Sequence, residues 1–172
     1  THAGELRESR ERFRTLVENI AGIAFRRKTE SPWRMEYISD SIESLTGISA
    51  SRFISGAQAY GDYVDSDDLP QLQQALEQAI RLRQPYLQEY RLIDRNGRIS
   101  WVRERAKVIC DGQGQPQSLD GVIIDISAEK QAEQNLRSLT DTLPVAVFRY
   151  RHEAGKAASL GYVSAAVAQL FG

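Results

Sequence analysis

Apolar residues fall on one stripe through the first twenty positions. Leu6, Phe13, Leu16 and Ile20 are spaced by seven, three and four, while Glu8, Arg10, Glu11, Arg12 and Arg14 fill the other faces. That spacing predicts an amphipathic helix over residues 3–20. The stripe returns over 127–143 as Ala132, Leu136, Leu139 and Leu143. Ser127 stands as N-cap of this second helix, Glu129 lies in its first turn where negative charge is favourable, and Pro144 ends it.

Between the helices the period changes to two. Gly22–Arg27 and Met35–Ser39 read as strands joined by the turn Lys28–Trp33. Residues 40–64 carry Ser, Gly and short apolar clusters, which predicts several one- or two-turn helices. A longer helix then runs from a cap at Asp67 or Asp68 to about Arg83, with Pro70 in its first turn and Leu69, Leu72, Leu76, Ala79 and Ile80 on its buried face. Strands follow at Tyr86–Ile93, Arg98–Cys110 and Ser118–Ile126. Asn96-Gly97 closes the first hairpin, because both residues tolerate positive φ. In Arg98–Cys110, Val102, Ala106, Val108 and Cys110 share one face and Trp101, Arg103, Arg105 and Lys107 the other. The order β-β-α-α-α-β-β-β implies an α+β fold, an antiparallel sheet with its helices on one face.

Part of this pattern occurs twice. Leu16–Arg26 is echoed by Leu139–Arg149, Tyr37-Ile38-Ser39 by Tyr162-Val163-Ser164, and Leu45-Thr46-Gly47 by Leu170-Phe171-Gly172. A repeat this long is domain-sized, unlike the roughly 20–50 residues of a solenoid unit. The expected organisation is a leading helix at 1–20, a complete domain at 21–126, a linker helix at 127–143 and the start of a second copy at 144–172.

Several ordered phrases resemble the PAS sensor domain followed by its PAC segment. They are Phe13–Ile20, Tyr37-Ile38-Ser39, Leu45-Thr46-Gly47, Val64-Asp65-Ser66-Asp67-Asp68, Glu89-Tyr90-Arg91-Leu92, Arg95-Asn96-Gly97, Trp101-Val102 and Gly121–Ser127. The last is similar to the family's Asp-Ile-Thr terminus, with Ser127 in place of Thr. The resemblance covers roughly residues 13–130. It implies a five-stranded antiparallel sheet in the order 2-1-5-4-3, with a ligand-sized cavity between sheet and helices. It also implies an input module ahead of a histidine kinase or cyclic-di-GMP enzyme in a bacterial signalling protein.

Composition narrows the setting. Hydrophobic content of 41% and charged content of 26% are ordinary for a globular chain. A net charge of −1 provides no global attraction for nucleic acid or anionic membrane. One cysteine, Cys110, makes no internal disulfide and points to a reducing, cytoplasmic compartment. No apolar run reaches the roughly 18 residues that cross a bilayer, so any membrane anchor of the parent protein is expected outside this stretch.

Candidate chemistry is sparse. The helix at 68–83 contains no histidine, and the two histidines, His2 and His152, lie elsewhere, which argues against His-ligated haem. Residues 50–64 contain no cysteine for a flavin adduct, and Cys110 is expected to pack as a small hydrophobe at a strand end. Non-covalent flavin or a small metabolite stays open as ligand. Asp65–Asp68 begins like a calcium loop, but Pro70 and Leu76 stand where Gly and Glu are needed. Gly112-Gln113-Gly114 lacks the third glycine and the helix of a phosphate cradle. Trp101 either covers the outer face of the sheet or lines the cavity. Alternation puts Glu104 among Val102, Ala106 and Val108, where a carboxylate must be paired or solvated. It binds a ligand, forms an internal salt bridge or sits at an exposed edge. Tyr37 and Tyr90 join it as candidate cavity residues. Asp125, Ile126 and Ser127 mark the junction of last strand and exit helix, a helix cap on its own terms and a signal-transmission point by resemblance.

No nucleophile–base pair, metal cluster or nucleotide loop emerges. The expected function is a non-catalytic sensory module that binds a small ligand or partner. The exit helix would pass its state to a downstream PAS domain and then to a diguanylate cyclase, phosphodiesterase or histidine kinase. The alternative is a ligand-free dimerisation and spacing element. The helical stripes either dock back on their own domain or form a parallel seam between two chains, making a homodimer.

Overall fold

Alternation along each strand sorts the side chains of a five-stranded antiparallel sheet onto an inner and an outer face. The computed structural model describes residues 2–19, 21–142, 148–151 and 159–163. The chain divides into two units, Thr1–Ser127 and Ala128–Gly172. The first begins with helix α1 (His2–Glu18) and strands β1 (Ile23–Lys28) and β2 (Met35–Ile38). Three short helical turns follow: α2 (Ile42–Thr46), α3 (Ala50–Ser55) and a 3-10 turn at Tyr60–Tyr63. Helix α4 (Leu69–Leu82) leads into β3 (Tyr86–Ile93), β4 (Ile99–Cys110) and β5 (Pro116–Asp125). The strands lie in the order β2-β1-β5-β4-β3, all neighbours antiparallel.

The inner face is apolar. Ile23 and Phe25 of β1, Ile38 of β2, Leu92 of β3, Val102 and Ala106 of β4 and Leu119 and Ile123 of β5 meet Ile42, Phe53, Leu72 and Leu76 from the helices. Gly121 admits the closest approach in this layer. A Cβ there would lie 2.3 Å from the Arg105 carbonyl oxygen, 2.6 Å from the Ala106 Cβ and 2.8 Å from the Phe25 ring. The outer face carries charge pairs between facing residues. Arg26 bonds Asp120 at 2.9 and 2.7 Å, and Arg103 bonds Glu89 at 3.0 and 2.8 Å. Such exposed pairs contribute about 0–1 kcal/mol each.

Asn96-Gly97 turns the β3–β4 hairpin, with Gly97 at φ 82 and the Asp94 carboxylate accepting from the Asn96 and Arg98 amides. In α1 the buried residue is Val17, while Leu6, Phe13 and Leu16 are 51%, 59% and 66% exposed. Val17, one position beside that stripe, makes the buried contact, and Phe13 lies against Tyr37 with ring centres 6.4 Å apart. Helix α5 (Ser127–Thr142) begins at the unit boundary, and its Ala132, Leu136 and Leu139 are exposed. The second unit also contains the antiparallel ribbon of β6 (Phe148–Arg151) and β7 (Ser159–Val163). The stripe residues Ile20 and Leu143, and His152, lie outside the described residues.

Candidate functional site

Alternation on β4 turns Glu104 inward, and it is completely buried. On β1 the same rule turns Phe25 and Arg27 inward, with a bulge against β2 between Arg26 and Arg27. The two charges meet. Arg27 Nη1 donates to Glu104 Oε1 at 3.1 Å and Nη2 to Oε2 at 3.5 Å. Tyr86 and Tyr90, four apart on β3 and so on one face, donate their hydroxyls to Oε1 and Oε2. The Tyr60 hydroxyl shares a 2.8 Å hydrogen bond with that of Tyr90. The Arg27 guanidinium lies 4.9 Å from the Phe25 ring centre and 5.4 Å from that of Tyr60. Four donors thus meet the roughly four acceptor positions of the carboxylate. No buried side-chain polar atom among the described residues lacks a partner.

The electrostatics follow from the burial. Desolvation pulls the Arg27 guanidinium down most strongly, but Glu104 together with Tyr86, Tyr90 and Tyr60 outweighs it and the net displacement is upward. Burial first, then the Glu104 charge, pushes the phenols of Tyr60, Tyr86 and Tyr90 above their usual range. Arg27 therefore stays cationic and the tyrosines stay protonated donors at neutral pH. Two charges taken from water cost several kcal/mol each, offset only when geometry and hydrogen bonding are complete.

Arg27 and Tyr60 of this cluster line a cavity of about 330 Å³. Met35, Phe53, Leu72 and Leu76 wall it, and Trp33 stands in the loop between β1 and β2. Trp33 has φ 53, a left-handed conformation that large residues seldom adopt, fixed by its amide donating to the Glu30 carbonyl at 2.7 Å. The described lining contains no histidine for haem ligation and no thiol for a flavin adduct. Clusters of His, Cys, Asp and Glu able to hold a metal are likewise absent among the described residues.

A second set of bonds runs from α4 to the end of the domain. Asp68, expected as a helix cap, gives its carboxylate to Arg91 instead, accepting from the backbone amide at 2.9 Å and from Nε and Nη2 at 2.9 and 2.8 Å. A bidentate charged partner outweighs a capping bond. That hydrogen bonding holds the Asp68 carboxyl below its usual value. Arg91 in turn lies over Trp101, 5.5 Å from the ring centre. The backbone of Trp101 grips the exit: its carbonyl accepts from Ile126 N–H at 2.8 Å, and its N–H donates to Ser127 Oγ at 3.0 Å. The cap expected from Ser127 is corrected accordingly, since its hydroxyl bonds β4 and Asp125 Oδ1 takes the Ser127 amide at 2.9 Å.

Of the three candidate cavity residues, Glu104 and Tyr90 lie together in the buried cluster behind Arg27, and neither is in the cavity's lining. Tyr37 does not join them. It pairs with Arg26 on the outer face and lines a separate open groove of about 780 Å³ beneath the end of α1. Cys110, expected to pack, is exposed, because a register shift between Ile109 and Cys110 breaks the alternation at the strand's end. Sequence reasoning missed Arg27, Tyr60 and Tyr86. Tyr86 carried a signal in its spacing from Tyr90, and Arg27 in its spacing from Phe25.

A family model described as the PAS fold matches residues 35–123, which is 89 of the chain's 172. The chain belongs to the PAS family. Similar proteins carry the domain within larger sensors. The methyl sulfide methyltransferase-associated sensor of Methanosarcina acetivorans is 27% identical over 117 residues, 67% of this chain and 12% of that protein. Sensor protein FixL of Bradyrhizobium diazoefficiens is 26% identical over 144 residues, 80% of this chain and 28% of that protein. The chain therefore spans well under a third of either relative. Among solved structures, the N-terminal domain of a diguanylate cyclase with PAS/PAC sensor from Marinobacter aquaeolei aligns with a TM-score of 0.56 at 22% identity. That alignment covers 63% of this chain and 98% of the other. This PAS domain is thus a sensory fold, and its described residues include no helix long and apolar enough to cross a membrane.

Proposed function

We propose that residues 21–126 sense a small molecule in the Arg27-lined cavity and report it through the Asp125-Ile126-Ser127 junction to domains that follow. The observation that carries this reading is the bonded route from cavity to exit. Leu69, Leu72, Gln73 and Leu76 of α4 line the cavity, Asp68 at the start of α4 holds Arg91, Arg91 covers Trp101, and Trp101 holds Ile126 and Ser127. A ligand that prefers one position of α4 biases every later link, because a shift requires only differential affinity for two states. The sensor relatives support a place within a larger signalling protein, and the cyclase-linked neighbour supports a diguanylate cyclase as output; a phosphodiesterase or histidine kinase is the alternative output, in a cytoplasmic protein.

Amide hydrogen exchange tests the route. Gly61 lines the cavity, and a Cβ there would find only Leu69 Cδ1, at 3.7 Å, so Gly61→Leu fills the space without a backbone clash. Exchange at Trp101, Ile126 and Ser127 should change severalfold while that of Lys107, further along β4, holds. A uniform change, or none, would count against the route.

The exposed stripe favours a second element of this function, assembly with another copy. Leu6, Phe13 and Leu16 present apolar surface on a helix whose Arg7–Glu11 and Glu8–Arg12 pairs keep the remaining faces soluble. Sedimentation should show a concentration-dependent homodimer that Leu16→Asp dissociates. An unchanged association constant would remove the stripe from the interface.

A further inference from the structure

We propose that the cavity selects a small uncharged ring molecule bearing a hydrogen-bond acceptor, which it directs onto the Arg27 guanidinium. This rests on the sensory reading above for the location of the site and adds the chemistry of what enters it.

Size sets the first limit. At about 330 Å³ the cavity stands at the low end of the roughly 300–1,000 Å³ typical of ligand sites. A liquid water takes about 30 Å³, so the space equals about eleven waters, which suits one ring or two fused rings. The walls set the second. Trp33, Phe53 and Tyr60 supply aromatic surface, and Met35, Leu72 and Leu76 aliphatic surface.

Charge sets the third limit. Three charged side chains line the cavity: Arg27 within it, and Arg34 and Asp62, both exposed. Arg34 donates to the Ile54 carbonyl at 3.1 Å, and water screens both exposed groups. Inside, the guanidinium is already neutralised by Glu104 at 3.1 Å. An entering anion would meet a cation whose charge Glu104 already compensates and would lie buried without a net counter-charge, a cost of several kcal/mol. A cation fares no better, since the acceptor positions of Glu104 are taken by Arg27, Tyr86 and Tyr90. Donors remain. The guanidinium has five N–H groups, and Glu104 uses two. A neutral acceptor such as an amide carbonyl meets them without adding charge.

Benzamide, benzoate and benzylamine share a ring and nearly a shape, and at neutral pH they are uncharged, anionic and cationic. Calorimetric titration of the full chain should find benzamide bound at least about tenfold more tightly than either of the others. Gly61→Leu should abolish that binding. In Arg27→Met/Glu104→Leu, which replaces the ion pair with apolar side chains, the preference for benzamide over ethylbenzene should fall by about tenfold or more. Benzoate or benzylamine binding as well as benzamide, with loss in Gly61→Leu, would overturn the ligand class and leave the cavity as the sensing site. Absence of binding by all three, or benzamide binding that survives Gly61→Leu, would overturn both. Should the double variant fail to fold, the three-probe comparison with Gly61→Leu decides alone.

Discussion

Replacing Glu104 with alanine should lower the unfolding free energy of this PAS domain by about 3–5 kcal/mol, read as a drop in the urea midpoint. The carboxylate accepts from Arg27, Tyr86 and Tyr90, and all four residues are buried. Alanine leaves a cation in the core with no counter-charge and two hydroxyls without an acceptor. The loss measures the orphaned groups rather than the net value of the pair. Arg27→Met/Glu104→Leu should accordingly be close to neutral, or more stable, because well-packed apolar side chains of similar volume replace the pair without a desolvation penalty. A double variant as unstable as Glu104→Ala would mean that the pair itself holds the fold together.

Gly121→Ala should destabilise by an amount at the upper end of the roughly 1–3 kcal/mol typical of overpacking. The new methyl would sit 2.3 Å from the Arg105 carbonyl oxygen, which belongs to the β4–β5 ladder and has no rotamer by which to retreat. It would also press on Ala106 and on the Phe25 ring at 2.6 and 2.8 Å. Since Phe25 stacks beneath Arg27, the same change should disturb the buried cluster. Gly112→Ala is the control, because a Cβ there meets nothing within 4 Å. Equal denaturation midpoints for the two variants would refute the steric argument.

The elements were largely legible in the sequence because their signals are local. The stripe of α4, the Asn96-Gly97 turn and the alternation in β4 each depend on neighbours a few residues away. Glu104 could be placed inward for the same reason. Alternation from Phe25 turns Arg27 inward as well, but that it meets Glu104 follows only from the pairing of β1 and β4 with β5, which joins strands distant in sequence. Tyr60 lies in a short turn with no periodicity to orient it. Propensity alone makes Asp68 and Ser127 helix caps. Each instead bonds a strand distant in sequence, Arg91 for one and Trp101 for the other. Cys110 failed for a converse reason, since a register shift ended the alternation that had placed it.

The buried ion pair also fixes how β4 can align with its neighbours. On β4, Glu104 lies between Arg103 and Arg105. A slip of one residue in either direction turns every side chain over and brings an arginine inward to face Arg27. Two cations would then share a dry interior, with Glu104 on the opposite side of the sheet. Of the three adjacent alignments, two are electrostatically forbidden. A glutamate flanked by arginines thus acts as a ratchet tooth that lets β4 seat in one position only.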